Sequence, residues 1–220
     1  MTIFEALSPA ERARQLANPE GAIGLALAEW LNDTNRQATT ELIRLLAVEA
    51  GHRVLEIGFG NGRAVPIVMA QAADVHYAGV DISPTMVAEA RDFNAALVQA
   101  GRAGFDLASS HAMPFDTGSF DRVFAIGVVH FWAEPLASLA EVRRVLRPGG
   151  LMLMGCLAPE GAPDFAQVEY GFHLRAAPEW DDLCRSSGFA DVDVRLLEIS
   201  QSVPGGSPIR RSSIRLQARA

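Results

Sequence analysis

The sequence predicts an α/β fold, a mostly parallel sheet carrying helices on both faces. Three observations predict it. An apolar, β-rich run, Arg53-Val54-Leu55-Glu56-Ile57, opens into Gly58, Gly60 and Gly62 and then into a helical stretch from Ala64. A second run, Val75 to Asp81, ends in a carboxylate. Beyond it, strand-like and helix-like patterns alternate as far as a closing pair of alternating strands, the order expected of a sheet whose parallel pairs need crossover helices.

Taken in order, Ser8-Pro9-Ala10-Glu11-Arg12 reads as a helix start, with Ser8 as N-cap and Pro9 at the first position, and Asn18-Pro19-Glu20-Gly21 breaks that helix. A second helical stretch is expected from Ile23 to Leu31 and a third from about Thr34 to Ala47, with Ala38, Leu42, Leu45 and Leu46 on one face. Residues 1–50 are thus expected to form a helical cap or lid on a domain spanning 51–220, the two making one compact unit. After Asp81 an amphipathic helix is expected from Pro84 to about Ala100, through Met86, Val87, Ala90, Phe93, Leu97 and Val98. A third strand follows near Phe105 to Ser109, and a fourth from Phe120 to Gly127.

Pro135 to Leu146 reads as a helix closed by Arg147-Pro148-Gly149-Gly150, and Leu151 to Cys156 as a fifth, buried strand. The irregular stretch from Ala158 to Arg175 has the length of a functional loop. Pro178-Glu179-Trp180 opens a helix that Gly188 caps, and strands from Ala190 to Ile199 and Ile209 to Ala218 form a hairpin across Pro204-Gly205-Gly206-Ser207-Pro208.

The glycine turn is the natural seat of a ligand, since glycine leaves no Cβ between backbone and cofactor and tolerates positive φ. Asp81 lies 19 residues beyond Gly62 (81 minus 62), the spacing at which a second-strand acid reaches the ribose hydroxyls of a nucleotide held on the first turn. Ser83 is the better N-cap for the following helix, which leaves Asp81 to bind.

Composition narrows the partners. A chain of 220 residues with 49% hydrophobic content and mean hydropathy +0.13 can bury one full core. A net charge of −7 and a pI near 5.2 argue against nucleic acid, whose phosphates call for a basic face, and favour a small-molecule partner. The two cysteines, Cys156 and Cys184, lack the spacing of a disulfide framework or a metal cluster. With neither a leader pattern nor a membrane-length apolar run, a soluble, cytoplasmic protein is expected.

Together these motifs resemble the class I S-adenosylmethionine-dependent methyltransferases, particularly the small-molecule branch, from about Gly51 to Gly150. Val54-Leu55-Glu56-Ile57-Gly58-Phe59-Gly60-Asn61-Gly62 is similar to the family's first motif and Gly79-Val80-Asp81-Ile82-Ser83-Pro84-Thr85-Met86 to its second. Pro114-Phe115 with Gly118-Ser119-Phe120-Asp121 resembles the approach to the fourth strand, and Leu146-Arg147-Pro148-Gly149-Gly150 the L-x-P-G-G turn. The resemblance implies a Rossmann-like, doubly wound sheet of seven strands in the order 3-2-1-4-5-7-6 with the last strand antiparallel.

It also implies S-adenosylmethionine as cofactor, S-adenosylhomocysteine as product and a small-molecule methyl acceptor. Glu56, through the turn, and the backbones of Gly58 and Gly60 would hold the methionine moiety, Asp81 the ribose, and Ile82 would flank the adenine. Phe59, Gly62, Ser83 and Met86 belong to the same motifs, and the carbonyl of Ile126 falls where the methionine ammonium is commonly received. The adenine loop Ser109-Ser110-His111-Ala112 departs from the family, which usually carries Asp at the position of Ser109, so weaker or rearranged adenine contacts are expected.

Methyl transfer needs alignment and water exclusion more than acid–base groups. Where a base helps, His130 is the candidate, after the fourth strand at the carboxyl edge of the sheet. Trp132, Tyr170 and His173 are candidate substrate contacts, and Glu134, Trp30 and Asn35 weaker ones, while Arg210, Arg211 and Arg215 read as a solvated face. Two alternatives stand beside the transferase: an inactive methyltransferase-like binding protein, and an NAD(P)-dependent oxidoreductase, whose G-x-G-x-x-G spacing Gly58, Gly60 and Gly62 do not match. The residues leave the acceptor and the oligomeric state open.

Overall fold

The computed structural model describes residues 6–160, 162–163, 166–201 and 209–220. Its centre is a seven-stranded sheet in the order β3-β2-β1-β4-β5-β7-β6. The strands are β1 (Arg53–Ile57), β2 (His76–Asp81), β3 (Ala103–Leu107), β4 (Phe120–Ile126), β5 (Leu146–Leu157), β6 (Ala190–Gln201) and β7 (Ile209–Arg219). The first five pair in parallel, and β7 runs antiparallel between β5 and β6. The expected order and the reversed last strand are both present.

Each face buries its own core. On one, α6 (Pro135–Val145) and α7 (Ala177–Ser186) set Leu139, Val142, Trp180 and Cys184 against Leu55, Val123, Met152, Ile214 and Leu216. On the other, Ile43 near the end of α2 (Gly21–Arg44), Val65 and Val68 of α3 (Val65–Met69), and Val87 and Ala90 of α4 (Pro84–Phe93) meet Val54, Phe105, Phe124 and Leu153. Central strands covered twice lose the alternating pattern, which is why Leu151 to Leu157 of β5 reads as a nearly continuous apolar run. Both cysteines are buried, and burial pushes their thiols up to about 12.

Before the sheet, α1 (Pro9–Ala17) is capped by Ser8, whose Oγ accepts from the Glu11 N–H. Two separate helices were expected over residues 23–47, but α2 is one helix of 24 residues, about 36 Å long. Thr34 turns its hydroxyl back onto the Trp30 carbonyl at 2.6 Å, so the polar run Asn32-Asp33-Thr34-Asn35 stays helical. Leu45, expected on the buried face, lies past the helix end and is 40% exposed, while Leu46 is fully buried.

The helix expected from Pro84 to Ala100 is broken at Asn94 into α4 and α5 (Ala95–Gln99). The buried Asn94 amide donates to the carbonyls of Gly62 and Ala90, tying the break to the glycine turn. Phe93 and Val98, expected in the apolar face, are exposed, and the Arg63 guanidinium sits 3.7 Å over the Phe93 ring. β3 begins two residues earlier than expected and ends at Leu107, and Leu146–Gly150 opens β5 as a strand, with Leu146 opposite Phe120. The expected Pro204–Pro208 hairpin loop, the first five residues, and Gly161, Asp164 and Phe165 of the irregular stretch lie outside the described residues.

Candidate active site

The carboxyl ends of β1, β2 and β4 open onto a cavity of about 960 Å³, whose far walls are α2, the end of β5, Phe172 and β7. That volume stands at the top of the roughly 300–1,000 Å³ range of ligand pockets. It has room for a cofactor and a second molecule.

The three glycines of the turn do different things. Gly58 has φ +73°, and a Cβ there would stand 2.4 Å from Val128 Cγ1, so glycine lets β1 close against the chain leaving β4. A Cβ on Gly62 would meet Ala90 and Asn94, so Gly62 serves the packing of α4 and does not line the cavity. Gly60 has nothing within 4 Å of such a Cβ, and its backbone faces the cavity.

The N–H groups of the three glycines are already used. Gly58 donates to the Val80 carbonyl at 2.8 Å and Gly60 to Asp81 Oδ2 at 3.0 Å. Gly62 donates to the Phe59 carbonyl. What Gly58 and Gly60 offer a ligand is therefore carbonyl oxygen, which suits an ammonium group; a pyrophosphate needs free N–H donors.

Asp81 lines the cavity, with Oδ1 accepting from the Ser83 N–H at 2.9 Å and Oδ2 held by Gly60. Burial raises its carboxyl above the usual range, and the N–H groups of Ser83, Gly60 and Ile82 work against that rise. Each bonded oxygen keeps lone-pair capacity for a hydroxyl. Ser83 caps α4 through the Met86 N–H, as its position predicts, and does not line the cavity. Ile82 and Met86 do, and Ile82 is 52% exposed, an apolar surface against which a flat ring can rest.

Glu56 is buried at the cavity floor and accepts 2.6 Å from the Tyr77 hydroxyl. Burial pushes its carboxyl up to about 8, the Tyr77 hydrogen bond opposes the rise and the nearby Asp81 adds to it. Phe59 lines the cavity and also stacks edge-on against Phe105, its ring filling the space a Gly79 side chain would need.

In the adenine loop, Ser109, Ser110 and His111 line the cavity, while Ala112 is exposed and pairs back to Ser109 in an isolated bridge. Ser110 Oγ lies 2.7 Å from Ser138 Oγ of α6, so that hydroxyl is shared. Ile126, His130 and Trp132 all border the cavity. His130 is stacked on Phe172, with centroids 5.3 Å apart, and burial pushes its imidazole down to about 3, which keeps it neutral. Its Nδ1 is buried without a hydrogen-bond partner among the described residues.

Tyr170 and His173, the candidate substrate contacts of the irregular stretch, do not line the cavity; Phe172 between them does. The His173 N–H donates to the His130 carbonyl at 2.7 Å, fastening the segment to the end of β4. Trp30, Asn35 and Glu134 line the cavity, Asn35 from the middle of α2 and not as a cap. Arg211, read as part of a solvated face, borders it as well.

A latch that the sequence reading missed joins α2 to the turn. Asn32 Nδ2 donates to Asn61 Oδ1 at 2.9 Å, Asn61 Nδ2 donates to Glu29 Oε1 at 3.0 Å, and Arg63 pairs with the same oxygen at 2.6 Å. The signal lay in the spacing of Glu29, Asn32, Asn35 and Thr39, a polar stripe along one helix face. No group of metal-ligating side chains occurs among the described residues.

The chain was compared with known proteins. Residues 55–154 match the family model described as a methyltransferase domain. The O-methyltransferase rstn1 of Aspergillus nomiae is 30% identical over 162 residues, 69% of this chain and 70% of that protein. The 27-O-demethylrifamycin SV methyltransferase of Amycolatopsis mediterranei is 34% identical over 125 residues, 57% of this chain and 46% of that one. The chain spans 46% to 66% of the length of several curated relatives. The crystal structure of a SAM-dependent methyltransferase from Aquifex aeolicus shares the fold over 96% of this chain and 98% of its own, with a TM-score of 0.64 at 17% identity. Sheet order, glycine turn and sequence kinship agree: the chain belongs to the class I S-adenosylmethionine-dependent methyltransferase family.

Proposed function

We infer that the protein transfers a methyl group from S-adenosylmethionine to a hydroxyl of a small molecule. The observation that carries this reading is the state of the glycine turn: the N–H groups of Gly58, Gly60 and Gly62 are bonded internally, Gly58 and Gly60 line the cavity, and the Asp81 carboxylate stands beside them. Such a site receives a cation and a diol, and it disfavours the phosphates of a dinucleotide. Glu56 and the carbonyls of Gly58, Gly60 and Ile126 would hold the methionine end, Asp81 the ribose, and Ile82, Met86, Ser109, Ser110 and His111 the adenine. When bound, the cofactor supplies an activated methyl on a sulfonium.

The chain's own part is alignment and exclusion of water. The helices of residues 1–50 act as a cap, held to the turn by the Asn32–Asn61–Glu29 latch. Phe131, Trp132 and Phe172 keep the acceptor end apolar. The neutral His130 imidazole, lowered to about 3 by burial, is a weak base and serves an acceptor hydroxyl as a hydrogen-bond partner at the cavity wall. A hydroxyl acceptor is supported by the names of relatives, which include O-methyltransferases and the demethylrifamycin enzyme. The charge of −7 supports a small molecule over nucleic acid.

Calorimetric titration with S-adenosylhomocysteine is the direct test, with micromolar binding expected and at least a tenfold weakening in Asp81→Asn. Failure of the native protein to bind either cofactor form would overturn the reading. Binding without methyl transfer to any hydroxylated acceptor would point to a binding protein.

A further inference from the structure

Three cations line the cavity: Arg36, Arg63 and Arg211. Arg36 pairs with Asp33 at 2.7 Å, and Arg63 with Glu29 at 2.6 Å and Glu89 at 3.4 Å. Arg211 pairs with no carboxylate among the described residues, and its Nε is buried without a hydrogen-bond partner. Its neighbours on β7 differ: Arg210 is exposed, and Arg215, whose Nε is also buried without a partner among the described residues, shares Asp193 with Arg195 and does not line the cavity.

The backbone places Arg211 where an acceptor would end. Ser213 is opposite Leu157 at the carboxyl end of β5, and Arg211, two residues further along the same face of β7, is opposite Ile199 of β6. From Asp81 on β2 to Arg211 on β7 there are four strand steps, β2 to β1, β4, β5 and β7, or about 19 Å across the sheet at the usual strand spacing, with a further offset along the strands. Ile126 pairs with Gly155 and Gly155 with Arg215, so Arg211 lies two strand steps across from Ile126 and four residues further along, roughly 16 Å in all. Burial lowers the affinity of this guanidinium for its proton, yet an arginine stays charged in a protein. A partly desolvated cation that borders a cavity and has no counter-charge among the described residues can take one from the ligand.

We propose that Arg211 selects the methyl acceptor by pairing with a carboxylate at the acceptor's tail, the end remote from its reacting hydroxyl. A single unneutralised guanidinium balances a monoanion and presents the planar fork that a carboxylate fits with two parallel hydrogen bonds. A phosphate dianion would leave half its charge unanswered here. Ser213 Oγ borders the same end but donates to the Cys156 carbonyl at 2.8 Å, so the cationic contact falls to Arg211. The acceptor class is a hydroxylated aromatic or polyene acid, apolar along Phe131, Trp132 and Phe172 and anionic at its tail. This inference rests on the donor site proposed above.

The test is calorimetry on the full chain saturated with S-adenosylhomocysteine, titrated with hydroxybenzoic, hydroxyphenylacetic and hydroxycinnamic acids, each against its primary amide. At least one acid is expected to bind ten times more tightly than its amide. In Arg211→Met that preference should fall below twofold and in Arg211→Lys lie between, with S-adenosylhomocysteine affinity within threefold of native throughout. Should Arg211→Met not fold, Arg211→Lys and the native acid-to-amide ratio still decide. If no acid is preferred to its amide, or the preference survives in Arg211→Met, the proposal is overturned. If the native protein does not bind S-adenosylhomocysteine, the donor reading fails instead, and the acid and amide titrations of the unliganded chain still report on Arg211.

Discussion

Tyr77 donates its hydroxyl to the Glu56 carboxyl at 2.6 Å, joining β2 to β1 beneath the glycine turn with both side chains buried. Burial raises Glu56 from 4.5 to about 8, so the folded chain without ligand holds a proton there that the unfolded chain has released at neutral pH. This group's contribution to stability is therefore full below pH 4.5 and is lost as the pH rises toward 8. A cationic methionine moiety prefers the ionised form. Binding of S-adenosylhomocysteine at pH 7 is expected to release about one proton, and affinity to rise between pH 6 and 8. Titrations in buffers of different ionisation enthalpy measure that proton directly. Tyr77→Phe removes the bond that opposes the rise and should move the curve to higher pH.

Gly58→Ala combines a left-handed backbone, φ +73°, with a Cβ placed 2.4 Å from Val128 Cγ1. Strain and overpacking together should lower stability by about 2 kcal/mol or more in urea unfolding. Gly60→Ala shares the strain, at φ +56°, but meets no atom within 4 Å, so its loss should be the smaller and its effect on cofactor affinity the larger.

Asn61→Ala empties the centre of the latch and leaves Asn32 without its partner. A loss of about 1–3 kcal/mol is expected, together with faster S-adenosylhomocysteine dissociation in stopped-flow measurements. Unchanged dissociation would show that α2 holds its place without the latch.

His130→Phe replaces a buried ring whose Nδ1 has no partner among the described residues with an apolar ring that can still stack on Phe172. The thermal midpoint should stay level or rise, since an unsatisfied buried nitrogen is removed. With the imidazole held near 3, kcat/KM should show no inflection around pH 6.5 from this residue. A lowered midpoint would mean that the ring is bonded more strongly than its surroundings indicate.

How much of this was legible in the sequence depended on what fixed each residue. The turn from Glu56 to Gly62, the second strand ending at Asp81 and the Ser83 cap could be read because backbone geometry demands those residue types there, while the sheet order followed from the family resemblance. The single α2 could not, because a polar run such as Asn32–Asn35 reads as a break unless tertiary neighbours use those side chains, and Asn61 does. Asn94 was hidden for the same reason, its amide serving Gly62, 32 residues away. Arg211 was misread because alternation separates the two faces of a strand without saying which one borders a cavity. Tyr170 and His173 were placed in the right segment, yet among its described residues it is Phe172 that lines the cavity.

The position of β7 carries a kinetic consequence. β5 finds its partner in β7, which arrives in the chain only after β6. Until then the apolar edge of β5, Leu151 to Leu157, stands unpaired, a template for other chains. Sheet closure therefore waits on the slowest kind of pairing, between segments far apart in sequence. A nascent chain held short of β7 should be the aggregation-prone species, and one that a chaperone would have reason to hold.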